Sequence, residues 1–458
     1  RAFQRDIMDA RSRAPRPSPD DSDIYECVEA ASLLPLEQGL AFEAVRFAKH
    51  ADAPRARFLR HAALCEWRAK PGLENAPTPK RAVVFGRSPE AADLAVLAVN
   101  IGNSVCIEAG GEALGQALLK LALKRLRGDA QSRLTLATSG VELEAADLVF
   151  DTGELLPDPP VTPKPGSVWI LTANDLSMTE RAQEVHVADR MMRLRRLFRT
   201  GRLLEVSLGP NASADAVNSA RSALAAQDWH VVVTSDAPCG VQGIFFAALA
   251  RAALTMLAIG QAPGQIEEAV RELGMRHGPL QMMDAYGAAR SLALLQDVYR
   301  GSDASTLPLQ LLSDRVAHVT AGDEAKMRHA LVFHSPGGQG FARDPDLRFW
   351  LETWRKERAD APATLPDIAL LTALHAALVR AASLCHENGL LRRWSDADLV
   401  AIHGLGMDRR MGGPLIQADV AGVLGLHRAL TALEPVDPAV WSRSAEIDDM
   451  VKNGRAFF

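Results

Sequence analysis

The chain has 458 residues, 48% of them apolar and 23% charged, which is the composition of a globular protein with room for about two to four domains. A net charge of −5 argues against a general nucleic-acid binder. Cys27, Cys65, Cys106, Cys239 and Cys385 are odd in number and scattered, which fits buried thiols in a reducing compartment, the cytoplasm, better than a disulfide framework or a metal cluster. The most apolar window, VQGIFFAALARAALTMLAIG, is interrupted by Arg251 and reads as a buried helix, so no membrane span is expected. The opening RAFQRDIMDA has neither Met nor a signal-peptide pattern, as expected of a piece of something longer.

Residues 1–78 read as a helical segment. RAPRPSPDDSD is Pro- and charge-rich, a flexible segment or surface loop, and apolar residues then recur at helical spacing through CEWRAK. Residues 79–237 change texture. RAVVFG, GRSPEAADLAVLAVNIG and SVCIEA form strand, helix and strand in about 30 residues, the opening of a doubly wound α/β domain. LTLAT, DLVFDT, SVWILTA, LLEVSLG and HVVVTS read as further strands, and DTGELLPDPPVTPKPG is too rich in proline for a helix.

Strands stop at Gly240. A-L-x-R-A-A-x6-G runs from Ala248 to Gly260 and again from Ala377 to Gly389, and G-P-L-x-x-x-D-x-x-G runs from Gly278 to Gly287 and from Gly413 to Gly422. The double match predicts a duplicated helical unit, residues 238–345 and 346–458, packed as a pseudo-symmetric pair. The expected architecture is thus a Rossmann-type α/β domain followed by two tandem all-α domains and preceded by a helical linker.

This organisation resembles the 3-hydroxyacyl-CoA dehydrogenase half of the multifunctional fatty-acid β-oxidation enzymes. LLPLEQGLAFEAVRFAKH is similar to the helix that joins their enoyl-CoA hydratase/isomerase domain to the dehydrogenase. AADLVFDT, SDADLVAIHGLGMDRRMGGPLIQADVAG and the ending EIDDMVKNGRAFF resemble further family segments. The resemblance implies NAD as cofactor, an acyl-CoA thioester as substrate and an upstream hydratase/isomerase as partner. It leaves a homo-oligomer open.

The site residues implied by the resemblance are altered. The family's G-x-G-x-x-G turn falls on Gly86-Arg87-Ser88-Pro89-Glu90-Ala91. Gly86 and Ala91 suit it, but Ser88 reads as a helix N-cap, Pro89 as a first helical residue, and Glu90 as a carboxylate already complementing the helix dipole. Glu108 stands where an acid holds the adenine ribose, or is a surface carboxylate at a strand end. The family's acid matches Glu205. Its His, Ser and Asn fall on Arg193, Asn174 and Gly243, and His186 matches none of them. Arg193 cannot act as a general base, and it is expected to pair with Glu205. The surrounding cluster of Arg190, Arg193, Arg195, Arg196, Arg199 and Arg202 is either a face pairing with carboxylates or a patch for the phosphates of coenzyme A. Cys239 is either a reactive thiol near a helix start or, as its surroundings favour, an inert buried one. Two function classes follow: a working or residual NAD-dependent dehydrogenase, and a non-catalytic descendant that supports the hydratase/isomerase.

Overall fold

A computed structural model describes the chain from Pro19 to Phe458 apart from residues 52, 71–80, 138–140, 158–161, 188, 199–200, 210, 225–228, 302–305, 322, 324–329, 337–340, 345 and 359–367; before Pro19 it describes residues 5, 6, 9 and 12. Three helices come first: α1 (Pro19–Leu33), α2 (Leu36–Ala51) and α3 (Pro54–Ala69). The stretch RAPRPSPDDSD is therefore not all loop. Pro19 opens α1, where its fixed φ suits a first turn, while residues 13–18 lie outside the described residues. Buried Asp23 accepts from Arg46 (3.0 Å) and Lys49 (3.2 Å), tying α1 to α2.

Eight strands then form one sheet in the order β3-β2-β1-β4-β5-β6-β7-β8. They are β1 (Arg81–Phe85), β2 (Ser104–Glu108), β3 (Leu134–Leu136), β4 (Leu148–Asp151), β5 (Val168–Leu171), β6 (Met191–Arg195), β7 (Leu203–Leu208) and β8 (His230–Ser235). All pairings are parallel except β6–β7, a hairpin-like antiparallel pair. Helices α4 (Pro89–Asn100), α5 (Glu112–Leu123), α6 (Met178–Glu184) and α7 (Ala214–Leu224) complete this doubly wound layer. Strand β6 is the one the sequence concealed. MMRLR looks like part of a basic cluster, yet all five residues are buried between neighbouring strands. Its two arginines survive there because carbonyls, a hydroxyl and a carboxylate meet them, as described below.

The helical half begins with α8 (Gly240–Ala258), which is long and apolar enough to cross a membrane but is enclosed by protein along almost its whole length. After it come α9 (Pro263–Glu272), α10 (Pro279–Tyr286), α11 (Ala288–Val298) and α12 (Leu307–Thr320). Helix α13 (Leu347–Lys356), expected to open the second unit, packs instead on the first, with Trp354 donating to Asp314 (2.9 Å) and Arg355 to the Leu257 carbonyl. Then come α14 (Leu370–Glu387), α15 (Trp394–Leu399), α16 (Pro414–Ala421), α17 (Val423–Leu433), α18 (Pro438–Trp441) and α19 (Ala445–Lys452), the second unit. Strands do not end at Gly240 after all. His334–Pro336 and Phe341–Arg343 pair as a small antiparallel ribbon just before α13.

The repeated phrase forms the same kind of helix in both copies, although its first glycine differs, with φ −78° at Gly278 and 110° at Gly413. Pro279 and Pro414 open α10 and α16 without an amide to donate, and the next amide, of Leu280 or Leu415, donates to a carboxylate: Glu267 Oε1 or Asp398 Oδ1, each at 2.8 Å. The preceding Gly278 and Gly413 press so close to these carboxylates that a Cβ would come within 2.1 and 2.3 Å of them. Gly287 and Gly422 end the helices at nearly the same conformation, φ 103°, ψ 122° and φ 95°, ψ 119°. Between them Asp284 accepts from the amides of Val332, Phe333 and His334, and Asp419 from those of Phe457 and Phe458. Each Asp anchors a returning strand of chain. The two units are joined by a buried ion pair, in which Arg251 of α8 reaches Asp437 (2.8 and 3.1 Å), with Thr255 donating to the same carboxylate (2.9 Å).

Candidate functional site

The turn from β1 into α4 carries the amides that would face a pyrophosphate. They are already occupied. Glu154 Oε2 accepts from the backbone N–H of Arg87 (2.6 Å) and of Ser88 (2.8 Å), and from the Thr152 hydroxyl (2.9 Å). Glu154 arrives there because its loop is folded back behind β4. Arg181 of α6 forms a buried pair with Asp151 (2.7 and 3.0 Å) and donates to the Leu155 carbonyl. Partial burial alone would raise the pKa of Glu154; the donated hydrogen bonds outweigh it and hold the group below the usual carboxylate range.

The blockade expected from Glu90 therefore comes from another residue. Glu90 lies in the first turn of α4 and lines the cleft described below, and Ser88, although at the N-cap position, makes no side-chain cap. Gly86 packs against Thr152 so tightly that a Cβ would fall 2.0 Å from its hydroxyl oxygen, and buried Ala91 closes the first turn onto the Ser88 carbonyl. Glu108 is half-buried at the end of β2 and turns onto the Gly110 amide (2.9 Å). The Arg87 side chain lies over that same Gly110, where a Cβ would meet its Nη2 at 3.0 Å. A dinucleotide does not fit these residues as they stand. Its pyrophosphate would have to displace a carboxylate of its own sign.

Glu205 is fully buried on β7, and both oxygens are spent on the start of α8. Oε1 accepts from the Val241 amide (2.7 Å) and the Thr234 hydroxyl (3.3 Å), Oε2 from the Gln242 amide (3.0 Å). Gly240 lets this happen: its φ is +64°, and a Cβ would stand 2.6 Å from Glu205 Oε1. Burial pushes the Glu205 carboxyl up, against the two amides and the nearby Arg195 charge.

The expected pairing of Arg193 with Glu205 does not occur. In the β6–β7 register Arg195 lies opposite Glu205, and Arg193 opposite Ser207. Arg193 donates instead to the carbonyls of Ala173 and Leu176 (2.7 Å for the latter), with Asp236 at 3.4 Å. Arg195 donates to Ser207 (2.6 Å) and Asp236 (2.9 Å). Both arginines thus meet a carboxylate, as one reading of the cluster has it, but at 3% and 7% exposure they do so inside the protein and not as a solvated face or a coenzyme A patch. Elsewhere in the cluster, Arg196 stacks on Trp229, Arg190 sits by Asp189, and Arg202 is exposed; Arg199 lies outside the described residues.

Between sheet and helices lies a cleft of about 310 Å³. It brings together Asn174, Gly243 and Glu90, as the family positions imply, and adds Arg195, Gln242, Tyr286 and Arg290, which sequence spacing gave no reason to select. Glu205 stands behind this wall. At Gly243 a Cβ would meet Cys239 Cβ at 3.1 Å and Leu294 at 3.3 Å, so an asparagine there would need the wall to give. The Cys239 thiol, half-buried, is pushed up to about 11 by burial, as an inert thiol should be. The cleft therefore offers hydrogen-bond donors, guanidinium groups and the carboxylates of Glu90 and Asp297, but among the described lining residues no imidazole.

Comparisons with known proteins fit this fold. Residues 244–328 match the family model of the 3-hydroxyacyl-CoA dehydrogenase C-terminal domain. The peroxisomal bifunctional enzyme of Danio rerio is 24% identical over 243 residues, 51% of this chain and 33% of that protein. The fatty acid oxidation complex subunit alpha of Shewanella halifaxensis is 24% identical over 210 residues, 45% of this chain and 28% of the relative. These matches thus span about a third or less of the relatives' length. Among solved structures, 3-hydroxybutyryl-CoA dehydrogenase from Escherichia coli K12 superposes with a TM-score of 0.59 at 16% identity, covering 82% of this chain and all of that one. The dehydrogenase part of multifunctional enzyme 1 from C. elegans gives 0.59 at 13% identity, covering 85% and 96%. In sequence over residues 244–328 and in fold over most of its length, the chain is thus similar to the 3-hydroxyacyl-CoA dehydrogenases, including the dehydrogenase portion of multifunctional β-oxidation enzymes.

Proposed function

We propose that this chain is a dehydrogenase-type module of fatty-acid β-oxidation that has lost NAD-dependent hydride transfer. The observation that carries the reading is the Glu154 carboxylate seated on the Arg87 and Ser88 amides. Two features support it. Among the described lining residues the cleft holds no imidazole, and loss of a general base costs roughly 10²–10⁴ in rate. The family's acid matches Glu205, and its oxygens are committed to the amides of α8. What remains at the cleft suits binding rather than turnover: exposed Asn174 and Arg290 are donors for the oxygens of an acyl thioester.

Calorimetric titration with NAD and absorbance at the NADH band with 3-hydroxybutyryl-CoA test the reading together. We expect neither saturable NAD binding in the micromolar range nor NADH formation. Micromolar affinity, or turnover above background, would sink it.

The same reading assigns the module a supporting role beside an enoyl-CoA hydratase/isomerase. Helix α2 favours it: none of its residues is buried, and Leu36, Leu40, Val45 and Phe47 are 55–77% exposed. Binding measured against an enoyl-CoA hydratase/isomerase of the same organism should be lost in Leu40→Lys/Phe47→Lys. Binding indifferent to both changes would remove this assignment.

A further inference from the structure

Away from the cleft, three chain segments meet at a cluster that neither the dehydrogenase reading nor the docking helix uses. Glu66 comes from α3, His230 from the start of β8, and His403 from a π-helical turn, Val400–Gly404, that follows α15. Their ligand-type atoms, one per residue, lie within 4.8 Å of one another. Glu66 Oε1 and His403 Nε2 are 3.0 Å apart, and the His230 and His403 rings stand 4.0 Å apart at a tilt of 32°. His230 is 6% exposed and the other two side chains are under 20% exposed.

We propose that Glu66, His230 and His403 form a site for a divalent transition-metal ion of the zinc class. Two imidazoles and one carboxylate are a common zinc donor set. With metal–ligand bonds of about 2.1 Å, neighbouring donors in a tetrahedron stand about 3.4 Å apart. The observed separations need shifts of an ångström or so to reach that figure. The surroundings hold the donors in place. The Arg202 amide donates to the His403 carbonyl (3.1 Å) and the His230 amide to the Arg202 carbonyl (2.9 Å), so one backbone relay fixes both histidines. A π-turn is a frequent device for aiming a functional side chain. Arg409 donates to both oxygens of Glu66 (2.7 and 2.8 Å) and orients the carboxylate from outside, as outer partners of metal ligands do.

His403 also lines a cavity of about 940 Å³ between the β6–β7 turn, α9–α10 and residues 402–411, which provides the path in and room for a fourth, exchangeable ligand. On binding, the metal takes the Nε2 lone pair of His403, the neutral ring keeping its one proton on Nδ1, and the hydrogen bond to Glu66 gives way. An ion so placed would bridge α3, the sheet and the second helical unit. The inference is independent of whether the module turns over.

The test uses the purified chain, stripped with chelator, titrated calorimetrically with zinc chloride, and cobalt chloride for visible absorption. We expect one ion per chain, a rise in unfolding temperature on zinc addition, and affinity at least about tenfold weaker in each of Glu66→Gln, His230→Gln and His403→Gln. Because the ligands sit on three separate elements, any one variant that fails to fold leaves two to decide the matter. The proposal is overturned by absence of one-to-one binding, by wild-type affinity in the folded variants, or by a cobalt spectrum with thiolate charge transfer, which would put the ion on a cysteine.

Discussion

Asp284 and Asp419 stand at the same place in the two helical units, yet they grip unequal lengths of returning chain. Asp284 takes the amides of Val332 (2.7 Å), Phe333 (3.1 Å) and His334 (2.9 Å) and is 5% exposed; Asp419 takes only Phe457 (2.9 Å) and Phe458 (3.0 Å) and is half-buried. Removing a buried acceptor strands every donor it served, at about 1–3 kcal/mol for each group left unmet. Asp284→Ala should therefore cost about 3 kcal/mol or more in urea unfolding, and Asp419→Ala about 1 kcal/mol. The second change should show instead as faster proteolysis at the C-terminus. Equal costs would mean that the two anchors are not graded in this way.

Glu154 caps α4 from a distant loop, so Glu154→Ala should lower stability by about 1 kcal/mol, the usual worth of an N-cap. Its dependence on pH has a definite sign. The folded pKa is depressed, so the contribution is fully present above the ordinary glutamate value and disappears as pH falls through the lower, folded one. Melting curves of the two proteins should converge on acidification. A gap that persists to strongly acidic pH would show that the carboxylate charge is not what the amides bind.

Glu205→Ala leaves the Val241 and Gln242 amides and the Thr234 hydroxyl facing a void, with Arg195 nearby. Loss of about 3–5 kcal/mol is expected, as for other broken buried charge networks. A catalytic acid with no structural duty would show little change in stability, so denaturant midpoints separate the two roles.

Arg193→His is expected to yield no NADH from 3-hydroxyacyl thioesters, because Glu154 still fills the cradle and Gly243 is unchanged. It should also destabilise the protein, since the Ala173 and Leu176 carbonyls lose their donor. Any NADH formed by this variant would show that a single imidazole suffices and that the turn admits the cofactor.

Gly422 faces open space but holds φ 95°, ψ 119°. Gly422→Ala should cost about 1–3 kcal/mol from backbone strain alone. A neutral substitution would mean that the helix break relaxes freely.

Much of the fold could be read in the chain because period and punctuation carried it: the apolar β-branched runs became strands, and the two G-P-L phrases became two capped helices. The site was less legible. A spacing of twelve residues matched Arg193 to Glu205, but spacing does not state register, and the hairpin sets Arg195 opposite Glu205. Strand β6 was hidden because arginine suggests solvent, and only the converging carbonyls and Asp236 make it compatible with burial. Glu154 was invisible for a different reason. Its loop is aimed by the Asp151–Arg181 pair, a contact between residues 30 positions apart that no local pattern announces.

The Arg251–Asp437 bridge makes the ancestral doubling hard to reverse. A chain shortened after residue 369 would leave the Arg251 guanidinium without its counter-ion, and one beginning there would leave the Asp437 carboxylate without its guanidinium. Each copy thus supplies half of a pair that the other needs, so loss of either unit strands a charge in the one that remains.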